Sequence, residues 1–197
     1  MCRLEYKINC MEYIAALSLL VAVAAWIAAA YTRLRHLYAN VQHAWVRWNA
    51  ATQQRNACLG DFTAVFASFL TQEDMLPRDM RRWTEDSQRA LEAMGTAPPI
   101  GSAPLLADAE RKLQRMIRYS AYTLETTPKM KESEQLLGLY HAMSVSRNLQ
   151  AEVGKNYNRR VRDYNAAINE PLTRLFAPVL GFKAVAEVSS YIPPSNN

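Results

Sequence analysis

Residues 13–32, YIAALSLLVAVAAWIAAAYT, form a stretch of twenty residues without a single charge. As an α-helix, with a rise of about 1.5 Å per residue, the stretch would be roughly 30 Å long, the thickness of a bilayer's hydrocarbon core. Tyr13 and Tyr31 stand at its two ends, and tyrosine favours the membrane–water interface. The stretch therefore predicts a transmembrane helix over residues 13–32, preceded by a short N-terminal segment, residues 1–12.

A cleaved signal peptide is the alternative interpretation, because Ala28-Ala29-Ala30 matches the small-residue rule for cleavage sites. Two features favour a retained anchor. The preceding segment carries Glu5 and Glu12, so it lacks the clear positive charge of a signal peptide. The helical pattern also continues straight through the three alanines.

Basic residues are slightly more frequent after this stretch than before it. Arg33, Arg35 and Arg47 follow it, whereas Arg3 and Lys7 precede it. Because basic residues collect on the cytoplasmic side of a span, we expect the N-terminus outside and the rest of the chain in the cytoplasm. The expected location is the bacterial cytoplasmic membrane, crossed once.

Apolar residues recur at helical spacing after the predicted span. Their steps alternate between four and three, typical of a helix with one buried face, and the residues are Leu34, Tyr38, Val41, Trp45, Trp48, Leu59, Phe62, Phe66 and Phe69. Thr52 and Arg55 keep this register in the middle of the stripe. No proline occurs before Pro77, so we expect one long helix that reaches about Leu70, with a bend at Gly60-Asp61.

Prolines and glycines divide the remainder into three further long helices. We expect them over residues 77–94, 105–126 and 130–170, with Gly95 ending the first and a loop over residues 96–104. A short helical piece at 172–180 and a tail over residues 183–197, frayed from residue 192, complete the prediction. Because the connections are short, the expected fold is all-α: the transmembrane helix continues into an antiparallel up-down-up-down bundle of four long helices, residues 33–182.

The composition argues against several other classes. Six glycines and nine prolines in 197 residues are too few for the turns of a β-sandwich, and the glycines form no nucleotide-binding motif. The three cysteines and three histidines lack the spacing of a zinc site or a disulfide framework. The net charge of +5 is spread over several segments, unlike that of a nucleic-acid-binding protein. We expect no catalytic residues, metal, cofactor, nucleic acid or small-molecule substrate.

A repeated pair lies in the fourth predicted helix, as Tyr157-Asn158 and Tyr164-Asn165, with Val161 and Ile168 on the same face. One interpretation is that the tyrosines and aliphatic residues pack in the core while the amides border it. The other is that buried polar groups fix the register of the helix, as a core asparagine does in a coiled coil. Both remain open from the sequence.

This run resembles the C-terminal signature of the LemA family. Other positions that match the family's motifs follow in order along the chain: Tyr31, Leu34, Val41, Ala44, Trp45, Arg55, Asn148, Pro171, Gly181 and Phe182. The resemblance implies a single N-terminal membrane helix with a short outside segment and a cytoplasmic helical bundle. It implies no active site, because the molecular function of the family is not settled.

Three positions depart from the family pattern. Thr32 stands in place of an asparagine, Gly60 in place of a proline, and Arg147 in place of a glutamate. Glycine still permits a bend but removes its rigid cause. If the family pairs that glutamate with the arginine of the first helix, this divergent member has lost the pair.

Antiparallel packing of the first and fourth helices predicts specific contacts. If facing residue numbers sum to about 204, Arg55 falls near Leu149, beside Asn148, and Trp45 and Trp48 fall near residues 157–160. We expect Arg55 to be partly buried and hydrogen-bonded to the fourth helix, because an unpaired buried charge is costly.

The favoured functional hypothesis is a non-enzymatic, membrane-anchored interaction or scaffold protein, which contacts the bilayer, other membrane proteins or a second copy. A basic surface could also lie on anionic lipid, with Arg81, Arg82, Arg159, Arg160 and Arg162 as its candidates. A solvated helix face is the plainer explanation for each of these arginines.

Two alternatives are kept. An enzyme would have to use His141 with Ser144 or Ser146, on a helix without an obvious orienting carboxylate. A signal-coupling protein would transmit a movement of the membrane helix, and close helix–helix contact is favoured by the small residues Ala22, Ala25 and Ala29.

Overall fold

The computed structural model of the chain describes residues 2–71, 73–101 and 103–188, with side chains from Tyr13 onward, and most of these residues are helical. The long helices are α1 (Cys2–Ala67), α2 (Leu76–Met94), α3 (Pro104–Thr126) and α5 (Glu134–Ile168), and the short ones are α4 (Pro128–Lys131) and α6 (Thr173–Phe176). No strand occurs in the described ranges, where Ile100 and Val185 form an isolated antiparallel bridge. The predicted all-α class is confirmed.

Helix α1 is 66 residues long and runs without interruption through Gly60 and Asp61. An 18-residue window in its N-terminal part has a mean hydropathy of 2.2, and none of this window is buried. The helix is long and apolar enough to cross a membrane, which is compatible with the predicted anchor. It ends at Ala67, three residues before the predicted Leu70, because its last amides bond to carbonyls three residues back, as in Leu70 N to Ala67 O at 3.3 Å.

Local residue chemistry sets the ends of the other helices. Gly95 ends α2 with a φ of 62°, a conformation that favours glycine. The predicted start of the fourth helix at Met130 is wrong by about one turn, because the Ser133 hydroxyl accepts the Leu136 amide at 3.3 Å and caps α5. This helix also stops at Ile168, before Pro171, since a residue preceding proline avoids the α-conformation.

Helices α1 and α5 pack antiparallel, and the contacts between them repeat every seven residues. The Tyr38 and Tyr164 rings lie 5.4 Å apart, and the Trp45 and Tyr157 rings 5.6 Å apart. One heptad further, the Gln150 amide donates to the Thr52 hydroxyl at 3.1 Å. Each seven-residue step forward on α1 thus meets a seven-residue step backward on α5, and the predicted contact of Trp45 with Tyr157 is confirmed.

The core consists of two apolar clusters with a polar layer between them. The first cluster surrounds Trp45, Trp48 and Val161. The second surrounds Phe62 and Phe66, further from the apolar end of α1. Between Trp48 and Leu59, α1 buries Ala51 and three polar residues, Thr52, Arg55 and Asn56.

Candidate functional site

A buried ion pair between Arg55 on α1 and Glu110 on α3 forms the centre of this polar layer. Both guanidinium Nη atoms lie 2.7 Å from a carboxylate oxygen, a two-pronged geometry. The two side chains are 1% and 2% exposed, respectively. Because charges removed from water must be paired, this geometry explains how both groups are accommodated in the core.

The polar atoms of this pair are otherwise occupied by neighbours. Arg55 also donates to the Asn56 side-chain oxygen, at 3.2 and 2.7 Å, and to the Gln150 oxygen at 3.4 Å. Glu110 accepts from the Ser87 hydroxyl at 2.8 Å and from the Gln150 amide at 3.4 Å. All five guanidinium N–H groups therefore have acceptors, and each carboxylate oxygen accepts twice.

Ionisation of Glu110 is governed by two opposing effects. Burial disfavours the carboxylate, but the charge of Arg55 and the hydrogen bonds from Arg55, Ser87 and Gln150 outweigh it and hold the pKa of Glu110 below its ordinary value. The ion pair therefore persists at neutral pH.

The expectations for Arg55 are met in part. It is buried and bonded to the predicted fourth helix, through Gln150. Asn148 is exposed and does not belong to this layer. The carboxylate partner comes from α3, while Arg147, at the position of the family's glutamate, is half-buried on α5.

Sequence reasoning missed Glu110 and Gln150. A signal for Glu110 was present, because it interrupts the buried apolar stripe of α3 that contains Leu106, Leu113 and Ile117 at steps of four and three. A carboxylate at a core position implies a buried cation nearby, and Arg55 holds the matching position on α1.

The tyrosine–asparagine pairs of α5 hold an extended segment, residues 183–188. The Asn165 amide exchanges two hydrogen bonds with the backbone of Val185, at 2.9 and 3.0 Å. Asn158 does the same with Val188, at 2.8 Å for both bonds. Each side chain thus takes the place that a neighbouring β-strand would occupy.

The tyrosine hydroxyls continue this arrangement. Tyr157 donates to the carbonyl of Ala186 at 3.0 Å, and Tyr164 donates to that of Lys183 at 3.1 Å. Burial is the main effect that raises the pKa of both hydroxyls, that of Tyr164 to about 12. The tyrosine rings remain in the core, as the first interpretation predicted. The amides bind the backbone of residues 183–188, which neither interpretation predicted.

Residues 183–188 therefore pack on the folded unit, although the sequence placed them in the tail. On their other side, the loop after α2 contributes backbone hydrogen bonds from Ala186 to Pro99 at 2.9 Å and from Gly101 to Ala184 at 3.2 Å. The expected fraying of residues 192–197 lies outside the described residues.

The remaining signature residues serve packing and turn formation. Leu34, Val41, Ala44, Trp45, Val161 and Ile168 are buried in the first apolar cluster. Gly181 has a φ of 80° and precedes Phe182, whose ring lies 5.7 Å from that of Tyr31. Pro171 is exposed just after α5.

Besides the contact of Phe182 with Tyr31, two further contacts tie the segment after α5 to α1. Arg33 and Glu170 form a bidentate ion pair at 2.8 Å, which lowers the pKa of Glu170. The Phe176 ring lies 5.9 Å from Trp26, inside the predicted span. Beside them, a cavity of about 350 Å³ is lined by residues that include Tyr31, Arg35, Tyr38, Tyr164, Phe182 and Lys183.

The five candidate basic residues do not form one surface. Arg81 and Arg82 are exposed on the first turns of α2, close to the end of α1. Arg159, Arg160 and Arg162 are exposed on the part of α5 that packs near Trp45. The two groups lie beside positions of α1 that are about twenty residues apart, which is roughly 30 Å along a helix. The expectation of a single basic surface is therefore not met.

The residues weighed for catalysis all lie on α5. His141 is exposed, Ser144 is half-buried, and the Ser146 hydroxyl lies 3.3 Å from the Cys58 sulfur. Among the residues that the structure describes, no three His, Cys, Asp or Glu side chains are grouped to hold a metal ion.

Comparison with known proteins identifies one family. The model of the LemA family matches residues 84–190, slightly more than half of the chain. The matched range contains Glu110, Asn148, both tyrosine–asparagine pairs and the Gly181-Phe182 turn. No curated protein and no solved structure matches the chain.

Proposed function

The chain belongs to the LemA family, and on that premise we propose that it is a non-enzymatic scaffold or interaction protein anchored in the bacterial cytoplasmic membrane. The N-terminus would lie outside and the helices after Thr32 in the cytoplasm. The observation that carries the proposal is the continuity of α1, whose apolar part is unburied and whose later part forms the core.

The four long helices would form one antiparallel bundle. Supporting this, each of them contributes to the polar layer: α1 through Arg55 and its neighbours, α2 through Ser87, α3 through Glu110 and α5 through Gln150. A network of this kind is favourable only when all members meet, so it selects a single arrangement of the helices.

A scaffold role fits the chemistry of this layer. Its donors and acceptors are used by one another, so Arg55 and Glu110 offer no unoccupied group to a substrate. The bundle surface instead exposes apolar side chains, among them Val145 and Leu149 one turn apart on α5. Exposed apolar residues at helical spacing suit contact with a helix of a partner.

Photo-crosslinking in living cells tests the proposal. A photoreactive residue replaces Val145 or Leu149 in the full-length chain, and captured proteins are identified by mass spectrometry. We expect either one reproducible membrane partner or a second copy of the chain. Val145→Glu with Leu149→Glu should abolish capture from neighbouring positions, while Lys155→Glu, on the same helix, should not.

Failure to capture anything from these and other exposed positions of a membrane-bound, folded chain would overturn the interaction role. If the chain converts a substrate, and the variant Val145→Glu with Leu149→Glu retains this activity, an enzyme is favoured instead.

Signal coupling is a second candidate, favoured by the same continuity of α1, because an uninterrupted helix can pass a movement of the span to the core. Ala22, Ala25 and Ala29 are exposed on this helix and would allow close approach of another helix. Self-association that is unchanged by Ala25→Leu would argue against this candidate.

A further inference from the structure

The segment from Glu170 to Phe182 runs past the end of the helical core and back. Glu170 contacts α1 at Arg33, Phe176 contacts it at Trp26, and Phe182 contacts it at Tyr31. The contact point on α1 thus moves seven residues toward the apolar N-terminal part and then returns. At 1.5 Å per residue, this excursion covers about 10 Å along the helix axis.

The outer face of this excursion is apolar. Leu172, Leu175 and Val179, which lie in α6 or within three residues of it, are 59%, 67% and 85% exposed. Arg174 is the only charged residue between Pro171 and Phe182. A surface of this kind is unfavourable in water, particularly next to an apolar helix that is itself unburied.

The backbone of the excursion is largely self-satisfied. Ala177 N donates to Thr173 O at 2.8 Å, Leu180 N to Phe176 O at 2.9 Å, and Phe182 N to Ala177 O at 2.9 Å. Such internal pairing is what a segment needs in order to leave water, because lipid offers backbone groups no partners.

We propose that residues 171–180 lie in the interfacial layer of the bilayer, as a second membrane contact beside the span. Leu172, Leu175 and Val179 face the boundary between headgroups and acyl chains, a layer in which amphipathic segments sit about 5–10 Å deep. The proposal rests on the membrane anchor put forward above, since α1 determines the depth at which Phe176 meets Trp26.

Charges around the excursion fit this placement. Arg33 and Glu170 pair at its base, and Arg35 and Lys183 line the adjacent cavity. They lie on the side of Tyr31 away from the span, where lipid phosphates would meet them. Arg174 is exposed, and its long side chain can reach back toward water from a shallow position.

The function of such a contact is orientation. With a single span, the bundle can tilt and can rotate about the axis of α1. A second contact on one side of α1 fixes which face of the bundle is turned toward the membrane. The partner of this surface is therefore the lipid of the same bilayer that holds the span.

Spin labels in lipid nanodiscs test the proposal on the full-length chain. Cys2→Ser, Cys10→Ser and Cys58→Ala remove the native thiols, and Val179→Cys or Leu175→Cys places one nitroxide on the excursion. Leu20→Cys labels the span, and Met75→Cys, at a residue 54% exposed beyond the far end of α1, is the control in water. Collision rates with oxygen, which partitions into lipid, are compared with those of a water-soluble nickel chelate.

We expect the Val179 and Leu175 labels to be several-fold less accessible to nickel than the Met75 label, and shallower than the Leu20 label. Nickel accessibility equal to that at Met75, while Leu20 is in lipid, would overturn this inference alone. A Leu20 label in water would overturn the anchor itself. Leu175 and Val179 are both exposed, so their replacement by labelled cysteines is not expected to unfold the chain; circular dichroism checks this.

Discussion

Arg55 on α1 and Glu110 on α3 form a bidentate ion pair, with both nitrogen–oxygen distances at 2.7 Å, between the two apolar clusters of the core. Ser87 and Gln150 complete its hydrogen bonds from the other two long helices. Because both prongs must align, the pair links α1 and α3 at one relative position.

Removing one member of this pair should be strongly destabilising. Glu110→Leu leaves a buried guanidinium without its counter-charge, and we expect a loss of about 3–5 kcal/mol in the free energy of unfolding. Glu110→Leu combined with Arg55→Met should lose much less than the sum of the single variants. Urea unfolding in detergent micelles, followed by tryptophan fluorescence, measures this coupling, and additive losses would contradict it.

The same carboxylate should make the folded chain sensitive to acid. Because the pKa of Glu110 is lower in the folded chain than the ordinary 4.5, its stabilising contribution is complete above that pH and is lost as the pH falls through the folded value. We expect unfolding free energy to decrease below about pH 4.5. In Glu110→Gln this part of the pH dependence should be absent, whereas Glu152→Gln, at an exposed position of α5, should retain it.

The two asparagines should control how firmly residues 183–188 are held. Asn165→Ala removes two hydrogen bonds to Val185, each of about 0.5–1.5 kcal/mol, and Asn158→Ala does the same for Val188. Hydrogen–deuterium exchange should show faster exchange at Val185 or Val188 respectively. Asn156→Ala, on a half-buried residue of the same helix, is the control and should leave both amides protected.

Alkaline pH should weaken the same contact through Tyr164. Burial raises the pKa of its hydroxyl from an ordinary 10 to about 12, so the folded chain binds this proton more tightly than the unfolded one. Its contribution is complete below about pH 10 and is lost as the pH rises toward 12. Tyr164→Phe should flatten the stability profile in this range, and an unchanged profile would show that Tyr164 does not titrate with unfolding.

Periodicity was sufficient for much of the architecture. The stripe from Leu34 to Phe66 predicted the buried face of α1, and the antiparallel register with α5 followed from counting residues. These features depend on local helical spacing, which one sequence records directly. Helix ends were less accurate, since the Ser133 cap competed with the earlier proline signal.

The contacts that the sequence did not predict are the non-local ones. The sequence around Asn158 contains no signal that its side chain binds the backbone of a segment thirty residues later. The position of Glu110 on an apolar stripe could have suggested that it pairs with Arg55. That Arg55 pairs with a carboxylate of α3, and not with one of α5, depends on how α3 packs. A hydrogen bond to the backbone requires no particular side chain in the segment that is bound. For this reason, the sequence of residues 183–188 predicted only a tail.

Alkaline carbonate extraction of cell membranes separates proteins held by a bilayer-spanning helix from those bound at its surface. We predict that the intact chain remains in the membrane pellet. Leu20→Lys with Val23→Lys should release it, because each lysine at the centre of a span costs about 2.5–3.5 kcal/mol. Two lysines at the exposed positions Val46 and Met75 should not release it. An intact chain found in the supernatant, or no effect of the lysines at positions 20 and 23, would contradict the membrane anchor.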